Sequence, residues 1–193
     1  MRHKSLLRTI LEPIGVAVAL GLLVRSAVHI YAIPSASMAP TLEAGDQIVV
    51  TPYFRGAPQR GDVVVFESLS IPDELMVKRV IAVPGDLVDS RVGRVRIGGH
   101  TLPEPYLLRQ ATTGAVQAQI IPADSYFVMG DNRDDSSDSR SWGVVPRSRI
   151  VGRARVVLWT STRASGDAAR AAVVKGSPAP RTRLRGSLFK WID

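Results

Sequence analysis

Between Ile33 and Thr162 the chain is cut into short Val/Ile-rich runs by turn-forming residues, and no other feature constrains its fold as much. The runs are Gln47–Thr51, Asp62–Phe66, Leu75–Val83, Val92–Ile97, Ser125–Met129 and Ile150–Trp159. Between them stand Gly45-Asp46, Arg60-Gly61-Asp62, Pro84-Gly85-Asp86, Gly98-Gly99 and Gly130-Asp131-Asn132. Branched side chains suit a pleated, half-buried surface, and Gly, Pro and Asp suit the reversals between strands. Within this region no stretch keeps a 3.6-residue apolar period over three turns, which excludes an alternating α/β fold. The pattern predicts a mainly β domain, an antiparallel barrel or folded sheet system. Gly93 interrupts the run Val92–Ile97, and no internal repeat is present.

Two segments flank this body. The first, Leu6–Ile33, is apolar and follows Arg2 and Lys4, with Pro13–Val24 free of charge. Twelve helical residues rise only about 18 Å, short of a hydrocarbon core of roughly 30 Å. Ile10–Ile33 would span it with Glu12 and Arg25 near the interfaces. A transmembrane anchor, a removable signal peptide with Ser35-Ala36-Ser37 as its small-residue cleavage site, and a buried core helix all fit. Lys and Arg are present before the stretch and absent from residues 31–50, which predicts a cytoplasmic N-terminus and a translocated body. The other flank, Arg163–Asp193, is rich in Ala, Gly, Ser and Arg and reads as a basic, flexible tail. The expected organisation is therefore 1–31 for the cytoplasmic N-terminus and anchor, 32–162 for the β-rich body, and 163–193 for the tail.

The net charge of +8 does not make this a nucleic-acid binder. Residues 1–12 hold three basic side chains against one acid, and residues 163–193 hold seven against two. The middle, with fifteen basic and fourteen acidic residues, is nearly neutral, whereas a groove-binding domain carries its charge on the folded body. Charge at the two ends suits a lipid surface or solvated tails. There is no cysteine, which removes disulfides, thiol nucleophiles and thiolate metal sites.

Elimination narrows the chemistry further. Of the three histidines, His3 and His29 lie before or beside the apolar segment, and His100 sits in a Gly-Gly-His turn, a poor base for a Ser-His-Asp triad. The paired ligands of zinc hydrolases are absent, and Asp131–Asp138 lacks the alternating oxygens of a calcium loop, so neither metal nor cofactor is expected. Lys78 is the single lysine of residues 13–162, which carry fourteen arginines. An arginine cannot release its proton in a protein, whereas a buried lysine can. Within Leu75–Val83, two-residue alternation puts Lys78 on one face with Met76, Val80 and Ala82, where desolvation would favour the neutral amine. A surface lysine snorkelling from an edge strand fits the same pattern. A nucleophile is on offer in Pro34-Ser-Ala-Ser-Met-Ala-Pro40, where bracketing prolines predict a stiff, mostly extended segment around Ser37. A plain juxtamembrane linker is the other reading.

Four motifs in order then resemble one family. They are Pro34-Ser-Ala-Ser-Met-Ala-Pro-Thr-Leu-Glu-Ala-Gly-Asp46, Arg60-Gly-Asp-Val-Val-Val-Phe66, Lys78-Arg-Val-Ile-Ala-Val-Pro-Gly-Asp86 and Gly130-Asp-Asn-Arg-Asp-Asp-Ser-Ser-Asp-Ser-Arg140. Together, over about residues 10–160, they resemble the bacterial type I signal peptidases, serine peptidases with a Ser–Lys dyad. The resemblance implies Ser37 as nucleophile and Lys78 as general base. It implies Ser35 as an oxyanion donor beside the Ser37 backbone N–H, and Ser136 as a hydrogen-bond partner orienting the Lys78 amine. Asp138 and Arg140 would form a structural ion pair, and Ile33, Met38, Leu42, Met76 and Val77 would line shallow pockets selecting Ala-x-Ala. The implied fold is the antiparallel signal-peptidase sheet system with one N-terminal transmembrane helix. The second β-domain of some Gram-negative relatives would be reduced here to a short insert at 86–122. The implied partners are preprotein signal peptides and the lipid bilayer. The implied location is the bacterial inner membrane, with a single pass and the catalytic domain on the outer side.

Four other readings share parts of the pattern. A specialised processing peptidase of the same fold, for conjugative pilin for example, differs only in pocket shape. A self-cleaving repressor would need a helical DNA-binding domain, for which residues 1–33 are too short and too apolar. A non-catalytic anchored β-domain would leave the lone body lysine and the proline-bracketed serine without a use. Ser187-Leu-Phe-Lys190 matches the Ser-x-x-Lys of penicillin-binding proteins by letter but has no domain around it.

Overall fold

The computed structural model describes residues 6–108, 114–159, 173–174 and 190–192. Helix α1 spans Leu6–Ala27, followed by strands β1 (His29–Ala32), β2 (Gln47–Thr51), β3 (Val63–Glu67) and β4 (Glu74–Ala82). Then come β5 (Leu87–Arg91), β6 (Arg94–Ile97), β7 (His100–Thr101), β8 (Gln119–Ile120) and β9 (Ser125–Met129). The short helix α2 (Ser139–Trp142) precedes β10 (Val145–Pro146) and the long β11 (Ile150–Trp159), with two-residue strands β12 (Val173–Val174) and β13 (Lys190–Trp191) beyond. The protein is mainly β, and every strand pair among the described residues is antiparallel.

The larger sheet runs in the order β1-β2-β11-β3-β4-β9-β10, with β12 on β4 and β13 on β11. Its centre explains why the runs in β3 and β4 are almost continuously apolar. Val63, Val65, Leu75 and Val77 pack into one cluster with Ile33, Met38, Leu42, Ile48 and Val50. On the opposite face, Val64, Phe66 and Val80 pack with Tyr126, Val128 and Val145. A strand covered on both faces has no solvent side to mark with polar residues. Each such side chain contributes about 1.5–3 kcal/mol through burial.

The smaller sheet, β7-β6-β5-β8, lies within residues 87–120. A third cluster, including Ile81, Val88, Val95, Ile121, Phe127 and Met129, fastens it to the ends of β4 and β9. Here the structure departs from the sequence pattern. Val92 and Gly93 hold φ of 51° and 70° and form the hairpin turn between β5 and β6, so the second strand starts only at Arg94. Strand β5 escaped the apolar pattern because Asp89, Ser90 and Arg91 make up most of it. A register shift between Val80 and Ala82 in the β4–β9 pairing also breaks strict alternation. Ala82 therefore packs in the third cluster, away from Val80.

The apolar N-terminal run is not one helix to Ile33. Helix α1 stops at Ala27, and His29–Ala32 pairs with Gln47–Val50 as an edge strand of the large sheet. Backbone pairing with β2 overrides the continued apolarity of the run at that point. Residues 11–21 are exposed at every position. Among the described residues no helix is long and apolar enough to cross a membrane. The expectation for a flexible tail at 163–193 falls outside the described residues, except at 173–174 and 190–192.

Candidate active site

The Ser37 segment connects β1 to β2 and is bent rather than extended. Ala39 N–H donates to Ala36 O at 3.0 Å and Leu42 N–H to Met38 O at 2.9 Å, so the chain curls through a turn just after the serine. Met38 and Leu42 are driven into the core, with exposures of 1% and 0%, while Ser35 stays exposed and Ser37 half-buried. With Ile33 buried before the two serines and Met38 and Leu42 after them, the backbone that carries the hydroxyls is pinned on both sides. Asn132 adds two ties, its N–H donating to Ser37 O at 3.0 Å and its Nδ2 to Ala36 O at 3.2 Å.

Lys78 comes from the middle of β4, opposite Val64 of β3. It is 3% exposed, and its Nζ lies 2.6 Å from Ser37 Oγ. Burial is the main influence on this amine and lowers its pKa from 10.5 to about 8. Asp138 opposes that shift, Arg140 adds to it, and Asp131 and Asp135 oppose it more weakly. A lysine of this kind has an accessible neutral form near neutral pH and can accept a proton from the hydroxyl beside it. Ser35 Oγ donates to Ser37 Oγ at 3.2 Å, so a second hydroxyl stands at the mouth of the site.

The loop from Gly130 to Arg140 forms the far wall. Asp138 and Arg140 make a bidentate ion pair, Nε–Oδ1 and Nη2–Oδ2 both 2.8 Å, with both side chains buried. Asp138 Oδ2 also accepts from Gly130 N–H at 3.0 Å. Gly130 is a close-approach position: a Cβ there would lie 2.3 Å from Ser136 Oγ and 2.4 Å from Ser37 O. Glycine lets the wall come up against the serine backbone.

Ser136 therefore reaches the site, but the bond expected from it to the Lys78 amine is not formed. Its Oγ is buried without a hydrogen-bond partner and lies close against Gly130. The five expected pocket residues are also divided. Ile33, Met38, Leu42 and Val77 share one cluster, whereas Met76 packs with Phe66 and Val80 on the other face of the sheet. Successive residues of a strand point to opposite faces, so Met76 and Val77 cannot line one wall.

One part of the site was not read from the sequence. Arg79, next to Lys78, is 2% exposed and donates from Nε and Nη2 to the two oxygens of Asp131 at 2.9 and 2.8 Å. Its Nη1 donates to Gly61 O at 2.9 Å, and Thr41 Oγ1 donates to Asp131 Oδ2 at 2.5 Å. This pair ties the serine segment, the lysine strand and the loop after β9 to one another. The signal was available, since an arginine inside an apolar strand run needs a buried acid. Spacing alone could not say which acid.

Comparison with known proteins identifies the family of the chain. The family model described as signal peptidase, peptidase S26 matches residues 7–159. Signal peptidase I of Leptolyngbya laminosa is 41% identical over 163 residues, covering 79% of this chain and 80% of the relative. A probable signal peptidase I-2 of Synechocystis is 39% identical over 153 residues, covering 73% and 69%. The crystal structure of a signal peptidase I from Enterococcus faecalis V583 shares 30% identity, covering 51% of this chain and 97% of that one, with a TM-score of 0.42. On the extent of the family match and the identity to these relatives, the chain belongs to the signal peptidase family, peptidase S26: it is a serine endopeptidase that removes signal peptides from preproteins.

Proposed function

We propose that Ser37 is the nucleophile and Lys78 the general base of a membrane-anchored signal peptidase that cleaves after Ala-x-Ala. The observation that carries this reading is the 2.6 Å approach of Lys78 Nζ to Ser37 Oγ at a buried lysine whose pKa is drawn down to about 8. The neutral amine takes the Ser37 proton as Oγ attacks the scissile carbonyl, then returns it to the leaving amine. The Ser37 backbone N–H and the Ser35 hydroxyl serve the oxyanion of the tetrahedral intermediate, where one donor is worth about 3–4 kcal/mol. Ser136, beside Gly130, orients the amine by accepting one of its N–H donors, which leaves the lone pair facing Ser37 Oγ. The Asp138–Arg140 pair braces that loop.

Substrate enters as an extended strand beside the Ser37 segment, and backbone pairing supplies affinity while small pockets supply selectivity. Ile33, Met38, Leu42 and Val77 form an apolar layer beneath the serine segment, and a shallow pocket over that layer would select alanine. Helix α1 is the anchor in this reading. Residues 11–21 of this helix are exposed at every position and offer leucine, isoleucine and valine outward, an apolar surface suited to lipid. The basic N-terminus stays in the cytoplasm and the β body lies on the outer side of the inner membrane. The test is to incubate detergent-solubilised protein with a signal-bearing precursor and sequence the new N-terminus of the product. Wild-type protein yields one cut directly after Ala-x-Ala and Ser37→Ala yields none. Product from Ser37→Ala, or a cut after large residues, contradicts the reading.

A further inference from the structure

The segment after β7 reaches back from the small sheet to the catalytic wall, and nothing in the proposed chemistry uses it. Tyr106 lies under Arg79, whose guanidinium carbon is 4.1 Å from the ring centroid. The edge of that guanidinium is committed to Asp131, Thr41 and Gly61, so the ring covers its face. The Tyr106 hydroxyl donates to Glu104 Oε1 at 2.9 Å, and burial raises its pKa. The Glu104 carboxylate in turn takes both Nη1, at 3.1 Å, and Nη2 of Arg133, with both side chains buried. Arg133 Nε donates to Gly130 O at 3.0 Å, and Arg133 O accepts from Arg140 Nη2 at 2.6 Å.

From these contacts we infer that Glu104 and Tyr106 are positioning residues for the Ser37–Lys78 reaction, acting from the insert on both sides of the dyad at once. Through Tyr106 the insert stacks on Arg79, the neighbour of Lys78, whose partners Thr41 and Asp131 flank the serine turn and Asn132. Through Glu104 it holds Arg133, and so the Gly130 carbonyl and the glycine that abuts Ser37 O and Ser136 Oγ. The loop 130–133 contributes the two Asn132 bonds that fix the carbonyls of Ala36 and Ser37. With Glu104 removed, Arg133 is a buried cation without its acid, and nearby Asp131 becomes its competing partner. Asp131 would then be drawn from Arg79, and the 2.6 Å proton-transfer distance would be held less tightly. Misplacement of reacting groups by about 1 Å costs on the order of 100-fold in rate.

The inference rests on the dyad reading, and its test separates the two. Steady-state kcat and KM for a signal-bearing precursor are measured on full-length Glu104→Gln, Tyr106→Phe, wild type and Ser37→Ala, with thermal unfolding of each preparation. Glu104→Gln keeps the size of the side chain but loses the charge, and kcat is expected to fall about 10–100-fold with KM within about twofold of wild type. Tyr106→Phe keeps the ring and deletes one hydrogen bond, so kcat falls by about 2–10-fold. Should Glu104→Gln not fold, Tyr106→Phe decides the matter. Wild-type kcat in the folded variants, or a loss confined to KM, overturns the inference, since the latter assigns the insert to substrate binding. Turnover by Ser37→Ala instead overturns the dyad and shows separately from either result.

Discussion

Lys78 is held in a place that costs the fold stability, and the cost has a pH signature. Burial lowers its pKa from 10.5 to about 8, so between these values the unfolded chain keeps a proton that the folded protein gives up. Below about pH 8 the folded state bears the whole penalty for charging a buried amine, about 3 kcal/mol. The penalty fades as pH rises from about 8 to 10.5 and is gone above that. Lys78→Met should therefore unfold at higher free energy than wild type at pH 7, by about 2–3 kcal/mol, and lose that advantage above pH 10.5. The same variant should be catalytically inert, and wild-type kcat/KM should climb through an apparent pKa near 8. Denaturant unfolding at pH 7 and pH 11 checks the first expectation, and equal stabilities at pH 7 would contradict it.

At the scale of elements, much of the strand pattern was legible because the central strands are marked at both ends by turn residues and filled with branched side chains. The runs at Gln47–Thr51, Ser125–Met129 and Ile150–Trp159 coincide with strands β2, β9 and β11. What escaped were strands whose side chains carry no apolar signal. β5 consists largely of Asp89, Ser90 and Arg91, and β1 hides in the tail of an apolar run that reads as helix. In each case the pairing partner, β6 or β2, determines the strand, and partner choice is a long-range property. The hairpin turn joining β5 to β6 offers a test. Val92 is β-branched, 89% exposed and held at φ 51°, a region that asparagine tolerates far better. Val92→Asn should stabilise the fold by about 1 kcal/mol, raising Tm by about 2–4 °C, with unchanged cleavage. A lower Tm by scanning calorimetry would contradict the turn.

Across the whole molecule, the site is a convergence of distant segments, which is why only part of it could be read in advance. Composition isolated Lys78 as the one body lysine, and the ordered motifs singled out Ser37, Ser35, Ser136, Asp138 and Arg140. The bent serine turn, the Arg79–Asp131 tie and the Glu104–Arg133 clamp depend on which charges meet after folding, and spacing does not encode that. The division between the proposed anchor and the body is also a whole-molecule property. Because β1 begins at His29, after the end of α1, a chain starting at Val28 keeps every strand of the large sheet. Such a truncation should remain folded and cleave a precursor peptide in detergent, while its co-sedimentation with lipid vesicles falls well below that of the full chain. Undiminished sedimentation would deny α1 its role as anchor.

In the proposed mechanism the amine of Lys78, as a neutral base, activates Ser37. Lys78→Arg tests it most directly, because arginine keeps the positive charge and reach but cannot give up a proton. Cleavage of a purified signal-bearing precursor, followed by gel over hours with wild type alongside, should show complete processing by wild type and no product from Lys78→Arg. Product from the arginine variant at a rate within about tenfold of wild type would remove Lys78 from the reaction, since loss of a general base costs about 100- to 10,000-fold.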